Sequence, residues 1–204
     1  MLYHKEFVAE KLRKWETQLN SFALPTWEEL PSIELYMDQV IVLLTQYLEF
    51  LSFEEEGEKA VTASAINNYV RTKIMPPPNK KKYGKMHLAY LVMICTLKQS
   101  MSIAYVQRMI PMGLSEAEVK LVYNDYVSRH KSASMFFIEQ VNLTASKVFD
   151  PMDSTEYVVE NMVSTVAVLS GLSKLLSEKI LLLQDPILPE KVKKPVTQER
   201  KDES

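Results

Sequence analysis

Apolar residues recur along the chain at helical spacing, with short polar breaks between the stripes. Within residues 3–20, Phe7, Val8, Leu12 and Trp15 fall three or four positions apart or side by side, which predicts a charged amphipathic helix. Leu24-Pro25-Thr26-Trp27-Glu28-Glu29-Leu30-Pro31 follows, and its two prolines bracket a short turn that Thr26 is placed to cap. Met37, Val40, Ile41, Leu44, Tyr47 and Leu51 then form an apolar stripe, predicting a helix over 32–51 with Ser32 as N-cap. Glu54, Glu55, Glu56 and Gly57 read as a solvated connection.

Residues 62–73 predict a second helix, opened by Thr62. On a 100° wheel Ile66, Tyr69, Val70 and the stem of Lys73 share one side, while Ser64, Asn67, Asn68, Arg71 and Thr72 share the other. That polar side carries no acid. Pro76, Pro77 and Pro78 stop the helix, and Asn79-Lys80-Lys81-Lys82-Tyr83-Gly84 reads as a small wing: a short strand, a basic turn and a return strand. Residues 86–99 are apolar almost all round, the pattern of a buried strut. A short helix, 103–110, is introduced by Ser102 and closed by Pro111-Met112-Gly113.

Ser115-Glu116-Ala117-Glu118 has the pattern of a capping box. It opens a long helix over 115–149 striped by Val119, Val122, Tyr126, His130, Ala133 and Phe137, which Asp150-Pro151 ends. Ser154 or Thr155 then opens another, over 154–184, with Val158, Met162, Val166, Leu169, Leu172, Leu176, Ile180 and Leu183 as its stripe. Residues 185–204 hold three prolines and many charges and are expected to be a disordered tail.

Composition supports a mainly helical, all-α chain: 47% of the 204 residues are apolar and only four are glycine. One Cys and three His exclude a disulfide framework and leave a zinc site short of ligands, so neither a metal nor a cofactor is expected. No Gly-rich phosphate loop, nucleophile elbow or paired metal-ligand motif is present, and the chain does not read as an enzyme. Met86–Leu97, a run without charge, is shorter than the about 20 apolar residues needed to cross a bilayer, and no signal peptide opens the chain. A cytoplasmic protein is expected, with Cys95 reduced and no membrane partner.

Charge changes the picture. The net charge of −2 conceals a strong segregation. Residues 1–59 carry 5 basic and 12 acidic side chains, residues 60–115 carry 8 basic and none acidic, and residues 116–204 carry 11 basic and 14 acidic. A basic island of that length is the footprint expected of a surface that faces polyphosphate. It coincides with the polar face of 62–73 and the Lys-rich turn. Asn suits an adenine edge and Arg a guanine edge in the major groove, and lysines on a loop tip suit backbone phosphate.

The order of elements over 36–110 resembles the winged helix-turn-helix of MerR-like regulators. The stretch Ile66-Asn67-Asn68-Tyr69-Val70-Arg71-Thr72-Lys73-Ile74-Met75-Pro76 is similar to that class's second helix at Ile66, Tyr69, Arg71 and Pro76. Lys82-Tyr83 resembles the exit of its wing, and Ser102-Ile103-Ala104-Tyr105-Val106 its later short helix. More closely, the chain resembles a bacterial family known as domain of unknown function 1836. The shared stretches are Leu24-Pro25, Trp27, Leu30-Pro31, Leu35–Val40, Ile66–Val70, Pro76–Pro78 and Lys82-Tyr83.

The resemblance implies a transcriptional regulator. The parts would be an N-terminal helix and turn (1–34), a winged helix-turn-helix (35–112), a helical dimerisation or effector region (113–184) and the tail (185–204). The expected partner is double-stranded DNA, met by Thr62, Ser64, Asn67, Asn68, Tyr69, Arg71, Lys73, Lys80, Lys81, Lys82, Tyr83 and Lys85. A homodimer through the C-terminal helices and a small-molecule effector are the further partners expected. The competing reading is an all-helical protein–protein adaptor whose basic surface docks an acidic partner.

Overall fold

The computed structural model describes residues 3–51, 61–153 and 157–183. The acidic connection around Glu54–Gly57, Ser154, Thr155 and the tail from 184 lie outside the described residues. Helix α1 spans Lys5–Ser21. The chain then passes through the Pro-bracketed turn, where Leu24, Trp27 and Leu30 are buried. Thr26 closes the turn, since its backbone N–H and its hydroxyl both donate to Glu29 Oε2 at 2.7 and 2.9 Å. These bonds favour the ionised carboxylate and hold the Glu29 pKa below its usual value.

Strand β1 (Leu35–Tyr36) precedes helix α2 (Met37–Tyr47). The helix therefore begins five residues after Ser32, which the sequence offered as its cap. The reason is a pairing over long range: Leu35 lies opposite Tyr83 and Tyr36 opposite Lys82, in antiparallel register with strand β2 (Lys82–Tyr83). Leu35 and Tyr83 are both buried. Gln39 then completes the start of α2, its side-chain Oε1 accepting from the Tyr36 N–H at 2.9 Å.

Helix α3 (Ala63–Arg71) starts where Thr62 predicts, the Thr62 hydroxyl accepting from the Ala65 N–H at 3.2 Å. Helix α4 (Lys85–Leu97) is the expected strut, buried continuously from His87 to Cys95. Burial pushes the Cys95 thiol up to about 12, so it is a packed apolar group and not a thiolate. Helix α5 (Ile103–Met109) is followed by α6 (Glu116–Thr144), which the capping box opens: the Ser115 N–H donates to Glu118 Oε2 at 2.8 Å. A short helix α7 (Ser146–Phe149) then leads towards α8 (Val158–Leu182).

Among the described residues the fold is mainly helical with one small two-stranded antiparallel sheet. Its main core surrounds α4 and takes in Leu24, Trp27 and Leu30, the inner faces of α2 and α3, and Val119 and Tyr123 of α6. The packing thus continues past residue 112 without a break. A second, smaller cluster joins Ala145, Val148 and Val159 to Val8 and Leu12 of α1. No helix among the described residues is long and apolar enough to cross a membrane.

Candidate nucleic-acid interface

Helix α3 divides as the wheel predicts. Ile66 and Tyr69 are buried, whereas Ser64, Asn67 and Arg71 are exposed and Asn68 is half-buried. Arg71 Nη2 donates to Asn68 Oδ1 at 2.7 Å, one turn back on the same helix. This bond orients the guanidinium and leaves the Asn68 amide N–H groups and the remaining Arg71 N–H groups as an array of donors.

The end of α3 is a Schellman closure. The Lys73 N–H bonds the Val70 carbonyl and the Ile74 N–H bonds the Tyr69 carbonyl, both at 3.1 Å. Such closures need a left-handed residue, usually glycine, and here Lys73 fills the position with φ 58°. The basic turn repeats the choice. Asn79 and Lys82 exchange backbone hydrogen bonds of 3.0 and 2.8 Å, closing a two-residue loop in which Lys80 and Lys81 have φ 46° and 67°. Positive φ at both central residues is the type I′ hairpin turn, ordinarily made by Asn-Gly. Lysine occupies both places, and Lys73, Lys80 and Lys81 are all exposed.

His87 anchors this turn to α4. Its Nδ1 accepts from the Gly84 N–H at 3.0 Å, and its Nε2 lies 3.1 Å from the Pro77 carbonyl. A backbone N–H only donates, so Nδ1 is the acceptor and Nε2 carries the proton. One buried imidazole thus ties the Pro-rich entry and the exit of the turn to the central strut. Lys82 and Lys85 flank it, their ammonium groups 5.4 and 5.6 Å from the ring centres of Tyr36 and Trp27.

Two bonds close the assembly that carries these residues. The Tyr123 hydroxyl donates to the Pro25 carbonyl at 2.7 Å, and the Trp27 N–H donates to Asn124 Oδ1 at 2.9 Å. The family described as domain of unknown function (DUF1836) matches residues 25–126, half of the chain, with both of those ties at its ends. The chain belongs to this DUF1836 family. No curated protein and no solved structure matches the chain.

Within the DUF1836 stretch the basic residues share one electrostatic setting. Arg71, Lys73, Lys80, Lys81, Lys82, Lys85, Lys98 and Arg108 are its cations from residue 61 to 115, and among the described residues no carboxylate pairs with any of them. The return strand of the turn is present as β2, but it takes its strand partner from β1, far upstream, with the Asn79–Lys82 bridge closing the turn itself.

Of the residues expected at the interface, Thr62, Ser64, Asn67, Arg71, Lys73, Lys80 and Lys81 are exposed, and Asn68, Lys82 and Lys85 are half-buried. Tyr69 and Tyr83 are corrected: both are buried in the core and present no ring to a ligand. Tyr69 follows Ile66 by three positions and shares its apolar face, and burial pushes its pKa up to about 12. Tyr83 follows Lys82 along a strand and so points to the opposite face. Helix α5 was expected as a short helix but not as part of this interface. Gln107 Nε2 donates to the Thr72 carbonyl at 3.4 Å, which places α5, with the exposed Arg108, beside the end of α3. The signal for it was there, because the acid-free stretch continues past Arg108.

Proposed function

We propose that α3, the Lys80-Lys81 turn and the adjoining end of α5 form a face that binds double-stranded DNA, and that the chain is a DNA-binding regulator of the winged helix-turn-helix kind. In this reading α3 enters the major groove. Asn67, Asn68 and Arg71 address base edges, Arg71 through a guanidinium that Asn68 already orients. Ser64 and Thr62 lie at the start of the helix, where backbone phosphate is reached. Lys73, Lys80, Lys81, Lys82 and Lys85 supply the phosphate contacts that set affinity.

One observation carries the proposal. Three exposed lysines of an acid-free island occupy left-handed backbone positions that glycine fills at lower cost. Strain of that kind persists where side-chain function outweighs stability. A merely solvated basic surface has no need of lysine at three such places.

The test is fluorescence anisotropy of the full chain with duplex DNA from its own upstream region, titrated at several salt concentrations. With about five phosphate contacts, the logarithm of affinity should fall against log salt with a slope of about −4 to −5. Arg71→Ala combined with Lys81→Ala should weaken binding by tenfold or more while leaving thermal unfolding unchanged. Binding that is insensitive to salt, or unchanged in the double variant, defeats the reading. Capture of an acidic protein with no DNA binding would instead support the adaptor.

A further inference from the structure

Helix α8 ends beside the basic face. It starts among α1 and α7, where Val159 packs into the small cluster, and its last turn returns to the main core through Leu181. There it packs against α5, whose Val106 belongs to the same core. Helix α5 in turn lies beside the end of α3, joined to it by the bond from Gln107 to the Thr72 carbonyl. The chain therefore continues past Leu183 from the α5 side of the face, the side that carries the exposed Arg108.

The sequence from that point changes sign twice. Residues 184–190 carry two acids, Asp185 and Glu190, and no base. Residues 191–198 carry Lys191, Lys193 and Lys194 and no acid. Residues 199–204 return to a slight acidic excess, with Glu199, Asp202 and Glu203 against Arg200 and Lys201. Pro189 and Pro195 bracket the three lysines, and each fixes one backbone angle, so less freedom is lost when the cations between them are held.

We infer that Lys191, Lys193 and Lys194 form a second phosphate-contacting element, which takes the backbone of the same duplex beyond the stretch covered by α3 and the Lys80-Lys81 turn. The inference rests on the DNA reading and extends it. Reach decides it. A chain spans at most about 3.6 Å per residue, so Lys191, eight residues beyond Leu183, lies within about 29 Å of the end of α8. From the start of α8, about 37 Å away along a helix of 25 residues, the same length of chain would fall short of the face. The target needs no shaped pocket, because duplex DNA presents a negative charge about every 1.7 Å along its axis and a lysine ammonium meets it as a point charge. Once α3 is seated, the tethered lysines bind intramolecularly, at a high effective concentration.

The full chain with Lys191→Ala, Lys193→Ala and Lys194→Ala combined should bind duplex DNA with a slope of log affinity against log salt shallower than the parent's by about 2 to 3, since each phosphate contact contributes about 0.9. The loss should be equal for upstream and unrelated duplexes, because backbone contacts carry no sequence preference. Arginine at the same three positions should restore the slope, and thermal unfolding should not change. An iron chelate tethered to Val192→Cys should cleave the duplex in the flank beside the main footprint, whereas the same chelate on Leu143→Cys, exposed near the far end of α6, should not; the buried Cys95 does not compete for the label. A parent that binds with a salt-dependent affinity but shares its slope with the alanine variant overturns this inference and leaves the DNA reading standing. Cleavage that is absent from Val192→Cys, or equal from Leu143→Cys, overturns it as well. A parent with no salt-dependent binding overturns both.

Discussion

Lys73 concentrates the tension between stability and function in a single backbone angle. A non-glycine residue in the left-handed region costs about 1 kcal/mol or more relative to glycine. The Schellman closure at Lys73 is otherwise complete, with both hydrogen bonds made and Ile74 buried behind it. Lys73→Gly should therefore keep the closure and relieve the strain. The expected gain is about 0.5–1 kcal/mol, after allowing for the greater freedom of glycine in the unfolded chain, or roughly 1–4 °C in thermal unfolding. The same variant should bind DNA more weakly, since a phosphate contact is lost. Melting and anisotropy measured together check both signs. A less stable variant would show that the lysine stem contributes more by packing than the backbone loses by strain.

Among the elements, the turn that follows α3 owes its placement to α4 more than to its own sequence. His87 occupies two backbone groups at once, the Gly84 N–H and the Pro77 carbonyl. His87→Ala strands both in a largely dry site, which should cost about 1–3 kcal/mol. DNA affinity should fall with it, because Lys80 and Lys81 lose their fixed position. If affinity is unchanged at a temperature where the variant is folded, the turn is not held by His87. Helices α3 and α4 were legible in the chain because their signals are local: a Thr62 cap and a two-sided wheel in one, an unbroken apolar run in the other. The start of α2 was not legible, since Ser32 carries the local mark of a cap while Leu35 is claimed by Tyr83 across dozens of residues. Inside the apolar run 86–99, His87 carries no local mark of its role. That it clamps the turn depends on where Pro77 returns, which no spacing records. The apolar stripe of α8 follows from its sequence periodicity, but which side of the helix meets the chain is decided by α1, α5 and α7.

Across the whole molecule, distant segments meet at His130, and this makes stability dependent on pH. Phe22 after α1, Phe50 after α2 and Tyr126 of α6 surround the imidazole, with ring centres 6.2, 5.7 and 6.3 Å from it. These neighbours supply apolar surface, and desolvation holds the His130 pKa below its ordinary 6.5. The unfolded chain takes up its proton near 6.5, and the folded chain does so only at lower pH. Stability from this site is thus complete above 6.5 and drains away as pH falls from there to the depressed folded value. The carboxylates with lowered pKa values, Glu28, Glu29 and Glu118, act in a separate window below 4.5, where their bonds to Lys120, Thr26 and Ser115 are lost on protonation. Denaturant unfolding followed from pH 7.5 to 5 should therefore show a decline that His130→Phe reduces, with the acid limb below pH 4.5 left in place. An equal decline in the variant would place the pH dependence elsewhere than in the aromatic enclosure that joins α1, α2 and α6.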